Sequence, residues 1–143
     1  MPVYNAQVPP IALGFDYPLL QAFVWKAEAL VLNEVSQQVQ IPRSRSGTGS
    51  PGIRVEIDFN QNPGNVTINV LESDDDLLGT GGYDQVPAAG QLTQANLLAG
   101  PNGASTRLAV DLQPFSGQFF ALQVAVPPSN GGTTATARVT RAA

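Results

Sequence analysis

Apolar residues in this chain recur at every second position, in short runs cut by proline and glycine. Successive side chains of a β-strand point to opposite faces, so a run of this kind buries one face and wets the other. Ile53, Val55, Ile57 and Phe59 alternate with Arg54, Glu56, Asp58 and Asn60, a half-buried strand with an ionic outer side. Val66, Ile68 and Val70 alternate in the same way with Thr67 and Asn69. The turn signal Asn62-Pro63-Gly64-Asn65 between the two runs predicts a β-hairpin.

The last third repeats the pattern. Leu108, Val110 and Leu112 form one inward set. Phe120, Leu122, Val124 and Val126 form another, apolar enough to predict a place near the centre of a sheet. Pro114-Phe115-Ser116-Gly117 and Pro127-Pro128-Ser129-Asn130-Gly131-Gly132 read as turns, and Thr133 to Thr140 as a threonine-rich closing strand. Between these regions, Ser73 to Gly103 is a long polar, glycine-rich excursion with short segments expected around Tyr83 to Val86 and Leu92 to Leu98.

Leu19 to Val31 supports two readings. Leu20, Phe23, Val24, Ala27 and Val31 fall at helical spacing behind Asp16, a candidate cap. Phe23, Trp25, Ala27, Ala29 and Val31 alternate, which suits a strand. Everything downstream reads as β, so the strand is preferred, followed by a second strand through Val35, Gln37, Val39 and Ile41 that stops at Pro42. Six to eight short strands separated by turn signals predict an all-β fold, an antiparallel β-sandwich or jelly roll, over residues 19–143 as a single domain.

Residues 1–18 read as an extended N-terminal arm. Pro2, Pro9, Pro10 and Pro18 oppose helix, while Tyr4, Ile11, Leu13, Phe15 and Tyr17 supply apolar anchors. Such an arm packs on its own domain or on a neighbouring subunit.

Chemistry is scarce. The chain has no histidine and no cysteine, which removes the usual proton shuttle, the commonest metal ligand and the thiolate nucleophile. An enzyme is not expected, and no cofactor is implied. Charged residues make up 13%, about half the usual share, and the net charge is −4. Six arginines and one lysine are scattered rather than clustered, so nucleic acid is not an expected partner. Met1-Pro2-Val3-Tyr4 lacks a signal-peptide pattern, and Gln21, Lys26 and Glu28 interrupt the longest apolar stretch. Synthesis in a cytoplasm is expected, with no membrane partner.

Five features invite chemistry. Gly47-Thr48-Gly49-Ser50-Pro51-Gly52 matches a dinucleotide fingerprint, but Pro51-Gly52 leads into a strand where that motif needs a helix. Asp74-Asp75-Asp76, with Asp84 nearby, offers oxygens to Ca²⁺ yet lacks the alternating spacing of a calcium loop, and an acidic turn explains it. Glu56 and Asp58 lie on one face of one strand, where neighbours do not oppose each other across a cleft. Arg54 beside them predicts cross-strand ion pairs instead. Asn65-Val66-Thr67 is a formal glycosylation sequon without a secretory context. Trp25 is a possible sugar-stacking platform, but its place in an apolar alternation favours the core.

The run from Val66 to Asp75, ending in Ser73-Asp74-Asp75, is followed by a long polar loop. Then come the stretch Phe115 to Val124, a strand that follows a compact aromatic turn, and the ending Gly131-Gly132-Thr133-Thr134-Ala135-Thr136-Ala137-Arg138-Val139. Over roughly residues 27–140 this order resembles the small jelly-roll-like cement, or decoration, proteins of tailed-bacteriophage capsids. The resemblance implies a non-enzymatic homo-oligomer, a trimer or dimer, on the capsid exterior that bridges and stabilises the major capsid protein lattice. On that reading the contacts are expected from Tyr4, Ile11, Phe15 and Tyr17 of the arm and Leu77, Leu78 and Tyr83 of the long loop. The alternative from another class is a carbohydrate- or receptor-binding β-sandwich of a tail or fibre. A hydrolase confined to carboxylate chemistry is the third.

Overall fold

The computed structural model describes residues 11–12, 21–40, 52–73, 84–85, 91–112 and 119–141. Eleven strands lie among them: β1 Ile11–Ala12, β2 Gln21–Glu28, β3 Val39–Gln40, β4 Ile53–Phe59, β5 Thr67–Ser73, β6 Asp84–Gln85, β7 Gln91–Thr93, β8 Leu98–Gly100, β9 Gly103–Leu112, β10 Phe119–Val126 and β11 Ala135–Arg141. A single 3₁₀ turn, Gln94–Asn96, is capped by the Thr93 side chain. Within the ambiguous Leu19 to Val31 stretch, Gln21–Glu28 is strand, and Leu19 and Leu20 lie outside the described residues.

Two sheets form. The first has the order β2-β11-β4-β9-β8. The second runs β1-β3-β10-β5-β6, with β7 also paired to β5. All pairings are antiparallel except β1 with β3, which brings Ile11 and Ala12 beside Val39 and Gln40. The long-range pairs nest inside one another: β2 with β11, β3 with β10, β4 with β9, and β5 with β7. Successive pairs alternate between the sheets, as when one long antiparallel hairpin is rolled up. That is jelly-roll topology.

The nesting corrects one expectation. β4 and β5 do not form a hairpin, because β4 pairs with β11 and β9 while β5 pairs with β10, β6 and β7. The chain crosses from one sheet to the other through residues 60–66. A period-two pattern specifies which face is buried, and two strands can bury those faces against each other across a sandwich as well as side by side.

The core lies between the sheets. Ile53, Ile57 and Phe59 from β4, Leu108 from β9, Ile68 from β5 and Phe120 from β10 are fully buried, joined by Trp25. Each large aliphatic or aromatic side chain buried there contributes roughly 1.5–3 kcal/mol. As expected, β10 lies inside its sheet, between β3 and β5. The 3–10 turn aside, no helix is described, and none is long and apolar enough to cross a membrane.

β2 departs from simple alternation, and the cause is local. Arg138 faces Phe23 and Ala137 faces Trp25, so Val24 is an extra residue, and Ala135 faces Glu28, so a second bulge follows. Ala22, Val24 and Trp25 are therefore buried, whereas Ala27 and Ala29, expected to share an inward face with Trp25, are exposed. Ala27 sits at φ 48°, in left-handed space unusual for alanine, and its N–H donates to Thr136 Oγ1 at 3.0 Å. Bulges and the exposed Lys26 leave this edge a poor template for another strand.

Candidate interaction surface

The alternation of β4 with its neighbours lays an ordered grid on the outer side of the first sheet. Gln21, Thr140, Arg54 and Asp111 form one row, and Phe23, Arg138, Glu56 and Ala109 the next. Thr136, Asp58, Arg107 and Leu98 form a third. Glu56 is its electrostatic centre. It accepts from Arg54 Nε at 3.0 Å and from Arg138 Nη2 at 2.6 Å, with Arg107 Nη1 at 3.9 Å. Arg107 Nε reaches Asp58 at 2.9 Å, and Arg54 Nη1 donates to both oxygens of Asp111 at 3.0 Å.

The expected cross-strand ion pairs are present. The hydrogen bond from Arg138, followed by that from Arg54, holds the Glu56 carboxyl below the usual carboxylate range against the opposing effect of burial. Arg54 is held above its ordinary value, first by its bond to Glu56 and then by Asp111. Three cations and three anions leave this face electrically balanced. Glu56 and Asp58 lie on one face of one strand and have arginines as partners, with neither facing the other across a cleft.

A second surface forms at one end of the sandwich, where crossings between the sheets gather. Residues 60–66 and 127–134 lie side by side, stitched by polar side chains. Gln61 Nε2 donates to Gly131 O at 2.9 Å, Asn130 Nδ2 to Asn62 O at 2.9 Å, and Asn65 N to Ser129 Oγ at 2.8 Å. Gly64 adopts φ 73°, and a Cβ there would collide with Ser129 Oγ, so the crossing requires glycine.

Beside these crossings, Val31-Leu32-Asn33-Glu34 makes a tight turn. Glu34 N–H donates to Val31 O at 3.1 Å, and Asn33, at φ 65°, occupies the third position, where a type II turn needs positive φ. Asn33 N–H donates to Val124 O and Val124 N–H to Glu34 O, pinning the turn to β10. Val31 and Leu32 at its tip are 53% and 57% exposed, and Val126 at the end of β10 is 43% exposed. An open groove of about 470 Å³ follows β2 toward this end, lined by Gln21, Phe23, Lys26, Glu28 and Gln37 among others.

Val31 and Val126 were both expected to face inward. Beyond the bulges the chain leaves β2 before Val31, and a register shift between Val124 and Val126 turns Val126 out. Sequence reading passed over Leu32 altogether. The available signal is Asn33, a residue tolerant of left-handed backbone, directly after the apolar run Leu30-Val31-Leu32.

Of the contact residues expected from the resemblance, Ile11 lies in β1. Tyr4, Phe15, Tyr17, Leu77, Leu78 and Tyr83 lie outside the described residues, as does the Asp74-Asp75-Asp76 run. Trp25 is buried in the core, which removes it as a sugar platform.

No family model matches this chain, and no curated protein matches it. Among solved structures, a chain from one titled "nora virus structure" is similar at 10% identity and a TM-score of 0.38. The match covers 95% of this chain and 64% of that one, so this chain spans less than two thirds of its length. A likeness of that depth adds nothing to the topology read directly from strand pairing.

Proposed function

We propose that this chain is a non-enzymatic virion structural protein, a capsid cement protein that seats on the outer surface of the major capsid protein lattice. The supporting observation is a jelly roll whose polar network is internally balanced and whose ordered loop end presents aliphatic side chains to solvent. Jelly rolls recur in capsid proteins, although a fold alone assigns no function. The resemblance over residues 27–140 supports the same reading independently. Tyr4, Ile11, Phe15, Tyr17, Leu77, Leu78 and Tyr83 remain the proposed contacts with the shell or between subunits.

The mechanism is mass action. A protein that binds the assembled lattice and not its free subunits stabilises the lattice by RT ln(1 + [L]/Kd) per site. Several weak footprints on one oligomer reinforce one another through effective concentration. A surface whose charges are already paired loses little to salt screening.

The test is direct. Mass spectrometry of purified particles is expected to find the protein at a fixed ratio to the shell subunit, and adding it to shells that lack it should raise their melting temperature. Particles without the protein, or shells it leaves unchanged, would refute the reading.

A further inference from the structure

Asparagine is followed by glycine at two places in this chain, Asn102-Gly103 and Asn130-Gly131. The pairing has its own chemistry. Glycine carries no Cβ to crowd its backbone nitrogen. That nitrogen can attack the preceding side-chain carbonyl carbon and close a five-membered imide, one reason asparagine is thermolabile. Both asparagines are exposed, and both side chains are held alike. Asn102 Nδ2 donates to Phe59 O and Asn130 Nδ2 to Asn62 O, each at 2.9 Å. The amide under attack does not distinguish the two places, and the attacking nitrogen does.

Gly103 opens β9, where it pairs with Gly100 across a two-residue turn. Its backbone is set at φ 120°, and its carbonyl accepts from Thr106 Oγ1 at 2.8 Å. Gly131 lies outside any strand and is exposed, and among the described residues its N–H donates to nothing. Its carbonyl accepts from Gln61 Nε2. The fold does not need a glycine there. Gly132 sits at φ 80°, but Gly131 is not in left-handed space, and a Cβ on it would meet no atom within 4 Å.

We propose that Asn130-Gly131 is a site of spontaneous deamidation in the folded protein, reacting ahead of Asn102-Gly103. Gly131 N forms a bond to Asn130 Cγ, the Cγ–Nδ2 bond breaks, and ammonia leaves with the Gly131 amide proton. Water then opens the imide at one of its two carbonyls. Opening at Cγ leaves aspartate, and opening at the main-chain carbonyl leaves isoaspartate, whose backbone runs through the side chain. Either product replaces a donor with a carboxylate that has no hydrogen to offer Asn62 O. The stitch between residues 60–66 and 127–134 is lost, and the chain gains a negative charge. The reaction needs only this chain and water, so it stands apart from the function proposed above.

The test incubates the full chain in mildly alkaline buffer below its melting temperature and follows each asparagine by peptide mass spectrometry. The Asn130 peptide is expected to gain the mass of an amide-to-acid exchange several-fold faster than the Asn102 peptide, with isoaspartate in the product. In urea the two rates should converge, because only the fold separates them. Gly131→Ala should suppress the conversion and leave the melting temperature unchanged. Asn130→Asp carries the product's charge from the start and should melt below the natural chain. Conversion of Asn102 first, or equal rates in the folded protein, overturns the proposal. So does a Gly131→Ala variant that converts as fast as the natural chain, or a folded protein in which neither amide converts while both do in urea. An unchanged melting temperature in Asn130→Asp overturns the loss of the stitch.

Discussion

On the outer side of the first sheet, Arg54, Glu56, Asp58, Arg107, Asp111 and Arg138 form a charge-paired grid open to water. The corresponding side of the second sheet is built differently. Phe119 faces Ser73 and Ala121 faces Leu71 across the β10–β5 ladder, and all four are buried. Only the next pair, Asn69 with Gln123, is polar, joined by a 3.4 Å hydrogen bond. β4 is therefore a strand with one wet face, and β10 a strand covered on both. The alternation of Ile53–Phe59 and the nearly continuous apolar run Phe119–Val126 express that difference in sequence. One sheet presents a charged surface, and the other is covered on both sides where the first half of β10 meets the end of β5.

Energetics should follow the same division. Phe119→Ala is expected to cost about 3–5 kcal/mol in urea unfolding, close to Phe120→Ala on the opposite face, because both remove a buried ring. A cost near zero for Phe119 would make the two sheets alike and end the comparison. Glu56→Gln should cost about 1 kcal/mol at neutral pH, since it removes one carboxylate from a network of part-exposed arginines.

The pH dependence sharpens that second case. The folded protein holds the Glu56 carboxyl below its unfolded value, so as pH falls the unfolded chain takes up the proton first. The stability Glu56 contributes is complete above the ordinary carboxylate range and lost as pH drops through the lowered folded value. The difference between Glu56→Gln and the natural chain should vanish there. Asp111→Asn is expected to change stability by less than about 0.5 kcal/mol, because Asp111 is 64% exposed and its pair with Arg54 lies in solvent. An Asp111 effect as large as that of Glu56 would contradict the assignment of Glu56 as the centre of the grid.

Much of this was legible in the sequence because strand periodicity encodes burial. The inward sets of β4, β5 and β9, the central place of β10 and the ion pairs around Arg54 follow from which residues alternate. Connectivity was not legible. Asn62-Pro63-Gly64-Asn65 marks a change of direction, but the same residues serve a hairpin and a crossing between sheets, and distant pairing with β11 decides between them. The exposure of Val31 and Val126 was hidden for a related reason. Val31 belongs to an apolar run that looks buried although β2 ends at Glu28 and the chain turns at Val31, and Val126 to one that a register shift in β10 rotates outward. A bulge shifts every later side chain to the other face, and one inserted residue leaves no signature in a pattern of apolar and polar positions.

Hydroxyl-radical labelling of the native protein, read residue by residue by mass spectrometry, tests the division of surfaces most directly. Phe119 and Leu71 are expected to be as protected as Phe120, with Leu32, Val31 and Leu98 labelled the most heavily among the aliphatic residues described here. Labelling of Phe119 and Leu71 at the rate of the unfolded chain, or protection of Leu32 in the isolated protein, would contradict the account.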